Sequence, residues 1–227
     1  MLSRRRANSG TGPQSVTTRL GNLTRVLIGF DLDMTLADSR SGIVTTMDAL
    51  SAETGVPIDS ALVVSRLGPP LEQEIAEWFP AAEVAPMTAR YRELYAELGV
   101  TGAVPMPGAA ASVRTVRERG GRVAVVTAKH AGHAAAMLDH LDLRPDVLVG
   151  WRFGHAKGET LRELGASVYI GDHLGDVDAA RTAGAYSIGV ATGPYSGAEL
   201  LAYGADAALE SLADFPAWLG GYVTGMR

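Results

Sequence analysis

The sequence predicts a three-layer α/β/α fold, a parallel sheet between two layers of helices, with an α-helical segment inserted after the first strand. Three observations carry this expectation. From residue 105 onward, short apolar runs alternate with helical patterning, as parallel strands joined by crossover helices require. Residues 41–104 carry helical patterning alone. Polar residues follow several strands at their carboxyl ends, where open α/β sheets collect their ligands.

The run Val26-Leu27-Ile28-Gly29-Phe30 reads as a short buried strand and ends in two carboxylates, Asp31 and Asp33. Alternation along an extended backbone puts both on one side. Two acids held together need a cation or a shared proton. Four helices are expected next. Ser41 can cap one carrying Ile43, Val44, Met47 and Leu50, closed by Gly55 and Pro57. Asp59 can cap a second with Leu62, Val63 and Leu67, stopped at Gly68-Pro69-Pro70. A third runs from about Leu71 to Trp78. A fourth runs from about Val84 to Leu98, with Met87, Tyr91, Leu94 and Leu98 on one face.

After Pro105-Met106-Pro107-Gly108 the expected order is helix 109–118, strand 122–126, helix 131–141, strand 147–149 and helix 157–164. Strand 168–170, helix 177–183, strand 186–190 and a helix from Ser196 to about Tyr203 follow. A short edge strand at 207–209 and a terminal helix at 213–219 end the pattern, the latter with Phe215 and Trp218 as packing residues. The domain boundaries expected from this are a basic leader at 1–24, a core built from 25–38 and 105–227, and a helical lobe at 39–104.

Composition narrows the function. Of 227 residues, 47% are hydrophobic, enough for a substantial core. The absence of Cys excludes disulfides, thiolate metal sites and a Cys nucleophile. The apolar runs fall short of a membrane span, and polar residues 7–18 follow the basic start where a signal peptide would be apolar. A cytoplasmic location is expected. Arg4, Arg5, Arg6, Arg19 and Arg25 make the first 25 residues basic, leaving −10 for the rest of a chain whose net charge is −5. The leader reads as a solvated tail, and the acidic body argues against nucleic-acid binding. No Walker A, G-x-G-x-x-G or G-x-S-x-G pattern is present.

The strand ends point to phosphoryl transfer. Thr127 follows Val123-Ala124-Val125-Val126, and Asp172 follows Val168-Tyr169-Ile170-Gly171. Adjacent parallel strands would bring these groups to Asp31 and Asp33. A carboxylate can attack phosphorus and form an aspartyl-phosphate, which suits Asp31. Asp33 can protonate the leaving oxygen and later deprotonate the attacking water. Thr127 offers a hydroxyl and a backbone N–H to a phosphate oxygen, with Ala128 beside it as a further substrate contact. Taken alone, a Thr after a strand is also an ordinary helix cap.

Phe30-Asp31-Leu32-Asp33-Met34-Thr35 resembles the first motif of the haloacid dehalogenase (HAD) superfamily, Asp-x-Asp-x-Thr after a hydrophobic strand, with Met34 where Gly is usual. Gly171-Asp172-His173-Leu174-Gly175-Asp176, leading into a small-residue helix up to Gly184, resembles the fourth motif. The helical insertion is similar to the C1-type cap of the phosphoglycolate phosphatase-like subclass. The resemblance spans residues 26–220 with all four motifs in order. It implies a Rossmann-like parallel sheet core with an inserted α-helical cap. It also implies a Mg²⁺-dependent phosphatase acting on a small phosphorylated metabolite. Mg²⁺ ligands would come from Asp31, Asp172 and the main-chain carbonyl of Asp33, with Asp176 in an outer shell or bound through water. Lys157 would be the third-motif lysine that neutralises phosphoryl oxygens and the attacking carboxylate, with His155 and Lys129 as competitors. Arg66, with Gly68 and Pro69, resembles the cap loop that meets substrate.

The remaining polar residues are read conservatively. His130, His133 and His140 lack zinc spacing and are expected at the surface. His173 can face the cleft, and Asp178 is expected in solvent. The alternative activity is phosphotransfer on the same fold, protein tyrosine kinase-like or sugar-phosphate mutase. Dehalogenation does not need a second acid, so Asp33 argues against it, and the complete set of site residues argues against a purely phosphate-sensing protein. The expected partners are a small phosphorylated substrate, no nucleic acid and no membrane, with the chain a monomer or homodimer.

Overall fold

A computed structural model describes residues 26–224; the predicted basic leader lies outside them. In chain order the strands are β1 (Leu27–Phe30), β2 (Ala37–Asp38), β3 (Val104–Pro105), β4 (Arg122–Val126), β5 (Val147–Val149), β6 (Ala166–Gly171), β7 (Tyr186–Val190) and β8 (Ala207–Leu209). The helices are α1 (Arg40–Thr54), α2 (Ser60–Ser65), α3 (Leu71–Ala76), α4 (Ala81–Leu94), α5 (Ala109–Glu118), α6 (Ala131–His140), α7 (Gly154–Leu164), α8 (Leu174–Ala183), α9 (Gly197–Tyr203) and α10 (Phe215–Thr224).

Six strands form one parallel sheet in the order β5-β4-β1-β6-β7-β8. β1 is central because its Leu-Ile-Gly-Phe run is buried throughout, and only a strand covered on both faces satisfies such a run. Its register sets Phe30 beside Val125 of β4 and Ile170 of β6. One face of the sheet packs Ile28, Phe30, Val123, Val125 and Ile170 against the larger core. The other packs Ala124, Val126 and Tyr169 against Leu161 of α7 and Ala179 and Ala180 of α8. The three predicted layers are present.

Helices α1–α4 lie between β2 and β3, which pair antiparallel as Ala37 with Pro105 and Asp38 with Val104. This two-residue ribbon ties the two ends of the insertion together. A dipeptide shows no alternation, and Pro105 reads as a breaker, so neither strand was expected. α1 begins at Arg40, ahead of the predicted Ser41 cap, and its C-terminus turns on Gly55 in the left-handed conformation as expected. Asp59 caps α2 by accepting from the Leu62 amide at 2.9 Å.

The fourth predicted helix ends earlier than its apolar pattern suggests. α4 stops at Leu94, and the chain widens into a π turn over Tyr95–Gly99 before a 3₁₀ turn at Val100–Gly102. Gly99 permits this geometry, since a Cβ there would lie 2.4 Å from Cδ2 of Tyr95. The turn fixes Tyr95, which is 1% exposed, against the sheet core. Single π turns inside helices concentrate at functional sites.

Candidate active site

Parallel register brings the predicted strand-end residues to one edge. The Asp31 amide donates to the Ile170 carbonyl at 2.8 Å, which places Asp31 beside the end of β6 and therefore beside Asp172. Carboxylate oxygens of Asp31, Asp172 and Asp176 all lie within 4.8 Å of one another, and all three residues are buried. Lys157, in the first turn of α7, reaches into this group. Its Nζ donates to Asp176 Oδ1 at 2.7 Å and to Asp31 Oδ1 at 3.1 Å.

Two of the acids are also held from behind. Asp172 Oδ1 accepts from the Thr35 hydroxyl at 2.8 Å. Asp176 Oδ2 accepts from the His173 amide at 3.1 Å, while Nδ1 of His173 accepts from Gly175, which together cap α8. Because this capping starts α8 at Leu174, the helix is three residues longer at its N-terminus than predicted. The loop after β7 closes the other side. A Cβ on Gly193 would fall 1.9 Å from Asp172 Oδ2, and the Thr192 hydroxyl donates to the Met34 carbonyl at 2.6 Å. Neither residue was expected at the site, although both follow the carboxyl end of a strand.

Three buried carboxylates share one ammonium, and their protonation reflects it. Burial, opposed by Lys157 and reinforced by Asp176 and Asp33, pushes the Asp31 carboxyl up to about 7. Burial and the neighbouring Asp176 and Asp31 raise Asp172 well above the usual carboxylate range. The Lys157 ammonium is held above its ordinary value because its two carboxylates outweigh the cost of burial. An all-oxygen donor set with excess negative charge fits a hard divalent cation.

Asp33 stands apart from this cluster. Its Oδ1 accepts from the Ser39 hydroxyl at 2.5 Å and from Lys129 Nζ at 2.8 Å. Lys129 is therefore a half-buried site residue in its own right, while His155 is exposed and pairs with Glu159. Ser39 is fully buried and was not anticipated. Thr127 is buried, but its N–H donates to the Val149 carbonyl at 3.0 Å as part of the sheet, and its hydroxyl accepts from the Lys129 amide at 3.2 Å. The backbone N–H expected for phosphate is thus not that of Thr127; Ala128 lines the cavity beside it.

Asp31, Asp33 and Asp172 lie on the floor of a cavity of about 110 Å³ roofed by the insertion. Arg66 lines it, but its guanidinium is clamped on Glu74 by two hydrogen bonds of 2.8 and 2.7 Å. His130 and His133, expected at the surface, line it too, because the segment after β4 turns inward beneath the insertion. His130 caps α6 by accepting from the His133 amide, and the His133 ring lies 5.0 Å from that of Tyr95. Burial pushes the His133 imidazole down to about 4, so it is neutral near pH 7. His140 is exposed, as expected. His173 packs beneath Gly68 and beside Tyr195, and Asp178 pairs with Arg181 on the surface side of α8.

The same arrangement of elements occurs in known proteins. A model of haloacid dehalogenase-like hydrolases matches residues 28–149, more than half of the chain. The chain belongs to this family. A second HAD-hydrolase-like model matches residues 150–215. This HAD-like hydrolase is 31% identical to a phosphoglycolate phosphatase of Rhodospirillum rubrum over 84% of its own length and 89% of the relative's. It is 26% identical to the tyrosine-protein kinase PtkA of Mycobacterium tuberculosis, over 84% of this chain and 66% of that one. A haloacid dehalogenase-like hydrolase of Streptococcus pneumoniae shares its fold with a TM-score of 0.75 at 24% identity, covering 85% of this chain and 97% of that one. Among the described residues, no helix is long and apolar enough to cross a membrane.

Proposed function

We propose that this HAD-like hydrolase is a cytoplasmic, Mg²⁺-dependent phosphomonoesterase that acts on a small phosphorylated metabolite through an aspartyl-phosphate. The observation that carries the reading is the pairing of Asp31 with Lys157 at the cavity floor, while the second acid, Asp33, is held apart by Ser39 and Lys129. Two carboxylates in different surroundings suit two different roles. Asp31, Asp172, Asp176 and the main-chain carbonyl of Asp33 would hold Mg²⁺ directly or through water. When bound, the ion would offset the charge of the carboxylates and polarise the phosphoryl group.

The protein's own part has two stages. The Asp31 carboxylate attacks phosphorus while the bond to the alcohol oxygen breaks, and Asp33 gives that oxygen its proton. Asp33 then takes a proton from water as the water oxygen attacks phosphorus. The bond to Asp31 breaks, releasing inorganic phosphate and restoring both acids. Lys157 offsets charge on the phosphoryl oxygens, and Thr127 and Ala128 position them. The helical insertion, residues 39–104, serves as a cap that excludes water, with Arg66 at its inner face.

The names of the phosphoglycolate phosphatase relatives favour a short ester. The kinase relative keeps phosphotransfer as a second reading, and the size of the cavity favours a small molecule over a protein side chain. The test is phosphate release from a panel of phosphorylated metabolites with and without Mg²⁺. Release should require the metal and fall by at least about 10³-fold in Asp31→Asn. Full activity in that variant would overturn the mechanism. Transfer of label from γ-labelled ATP to protein, without ester hydrolysis, would favour the kinase reading.

A further inference from the structure

Asp33 is held by one oxygen only. Its Oδ1 accepts from the Ser39 hydroxyl at 2.5 Å and from Lys129 Nζ at 2.8 Å, and among the described residues no hydrogen bond reaches Oδ2. An oxygen that already accepts from an ammonium and a hydroxyl is a poor place for a proton. A proton on this carboxyl therefore sits on Oδ2. Asp33 lines the cavity, so that oxygen is the one that exchanges a proton with a ligand.

The backbone that carries Lys129 is fixed from the neighbouring loop. Its amide donates to the Thr127 hydroxyl at 3.2 Å, and its carbonyl accepts from the Trp151 amide at 2.9 Å. The Arg152 amide donates to the Thr127 carbonyl at 2.9 Å. To make these bonds Trp151 takes a left-handed backbone with φ at 54°, a strained conformation for a residue with a bulky side chain. Gly150 lets the two loops touch, since a Cβ there would fall 2.8 Å from the Lys129 carbonyl oxygen. Strain of this kind persists only where the surroundings over-determine it, and it concentrates at functional sites. At the far end of the side chain, the ammonium stands 4.6 Å from the centroid of the Tyr95 ring, a cation–π contact with the insertion.

We infer that Lys129 is a positioning residue for proton transfer: it ties Oδ1 of Asp33 to the Tyr95 ring of the insertion and leaves Oδ2 to serve the leaving group. The inference rests on the phosphomonoesterase reading, which gives Asp33 a proton to move. In the first stage the Asp31 carboxylate bonds to phosphorus, the bond to the alcohol oxygen breaks, and the proton passes from Oδ2 to that oxygen. Lys129 acts through Asp33 and not on the phosphoryl group.

The experiment compares two substrates of the full chain in Mg²⁺, the fastest alkyl ester of the metabolite panel and acetyl phosphate. An alkoxide needs a proton to leave, and acetate does not. The ratio kcat/KM reports the first stage alone, because departure of the leaving group commits the enzyme. In Lys129→Met it should fall by at least about 30-fold on the alkyl ester and by less than about 3-fold on acetyl phosphate. Lys129→Gln, a milder change, should show the same split if the Met variant does not fold. Placed on top of Asp33→Asn, either change should cost less than about 2-fold more on the alkyl ester, since both then remove one function. Equal losses on the two substrates would overturn the inference and leave the phosphatase reading standing, as would additive losses in the double variant. A wild type that hydrolyses no ester of the panel would remove the phosphatase reading and this inference with it.

Discussion

The floor and the roof of the cavity are built by different means. The floor, with Asp31 and Asp172 backed by Asp176 and Lys157, rests on ends of parallel strands and on the first turns of α7 and α8, and each of the four charged groups is hydrogen-bonded. The roof, with Tyr95, Arg66 and Arg92, comes from an insertion whose strand link to the sheet domain is a two-residue ribbon. Among the described residues it holds a buried donor without a partner, Nε of Arg92, where the floor has hydrogen-bonded ones. A rigid, over-determined floor suits chemistry common to many substrates. A roof with donors in reserve suits the choice among them.

The largest expected effect breaks the floor. Lys157→Met leaves three buried acids without their ammonium. Turnover should fall by at least about 10²-fold, since the lost charge acts on the transition state. The metal-free chain should also melt at a lower temperature. A variant with near-normal turnover would show that Lys157 only neutralises the acids at rest.

Metal removal tests the same charge balance through pH. Asp31 titrates near 7 in the folded chain and near 3.8 when unfolded, so between these values the folded state binds more protons. Stability from this group is therefore present at low pH and lost as pH rises toward and through 7. His133 has the opposite sign, with about 4 folded against 6.5 unfolded, and its contribution is lost as pH falls through that window. A divalent cation favours the ionised acids, so it should reverse the Asp31 term and leave His133 untouched. The difference in melting temperature between Mg²⁺ and chelator should widen from pH 5 to pH 8. A difference independent of pH would place the ion away from Asp31.

Gly193→Ala probes how tightly the floor is packed. Its Cβ would press on Asp172 Oδ2, so the carboxylate must turn or the loop must move. If Asp172 holds the ion as proposed, displacing it in this way should weaken metal binding by about 10–100-fold, with a smaller change in melting temperature. Unchanged metal affinity would mean the β7 loop yields freely.

The contrast between floor and roof also explains what could be read from sequence. Buried strands announce themselves as apolar runs, and β4, β5, β7 and β8 lie where the runs are. Asp31, Thr127 and Asp172 follow such runs directly, so local pattern and topology together locate them. Lys157 came only from the resemblance, because a lone Lys on a helix carries no local signal. Lys129 and Tyr95 owe their roles to contacts across long sequence separations, and Ser39 meets Asp33, six positions earlier, only because the chain turns back on itself after the first strand. The Lys129–Asp33 pair spans 96 positions, and Tyr95 looks like one more apolar residue on a helix until the π turn redirects it. His130 and His133 were misjudged for the same reason, since nothing local reveals that an insertion lies over them.

The smallest effect concerns Met34, where the sequence departs from the usual Gly of the first motif. Its backbone is left-handed, with φ at 59°, a conformation that costs a side-chain-bearing residue about 1–2 kcal/mol and Gly almost nothing. The side chain is nevertheless 4% exposed and packs in the main core, and burying a Met is worth about 1.5–3 kcal/mol. Burial exceeds strain, so Met34→Gly should destabilise the chain by about 1 kcal/mol, read as a modest fall in melting temperature. Turnover should change little, because the Thr192 hydroxyl bonds to the Met34 carbonyl and not to its side chain. A rise in melting temperature would mean that strain outweighs packing at this turn, and that the floor carries a cost its core contacts do not offset.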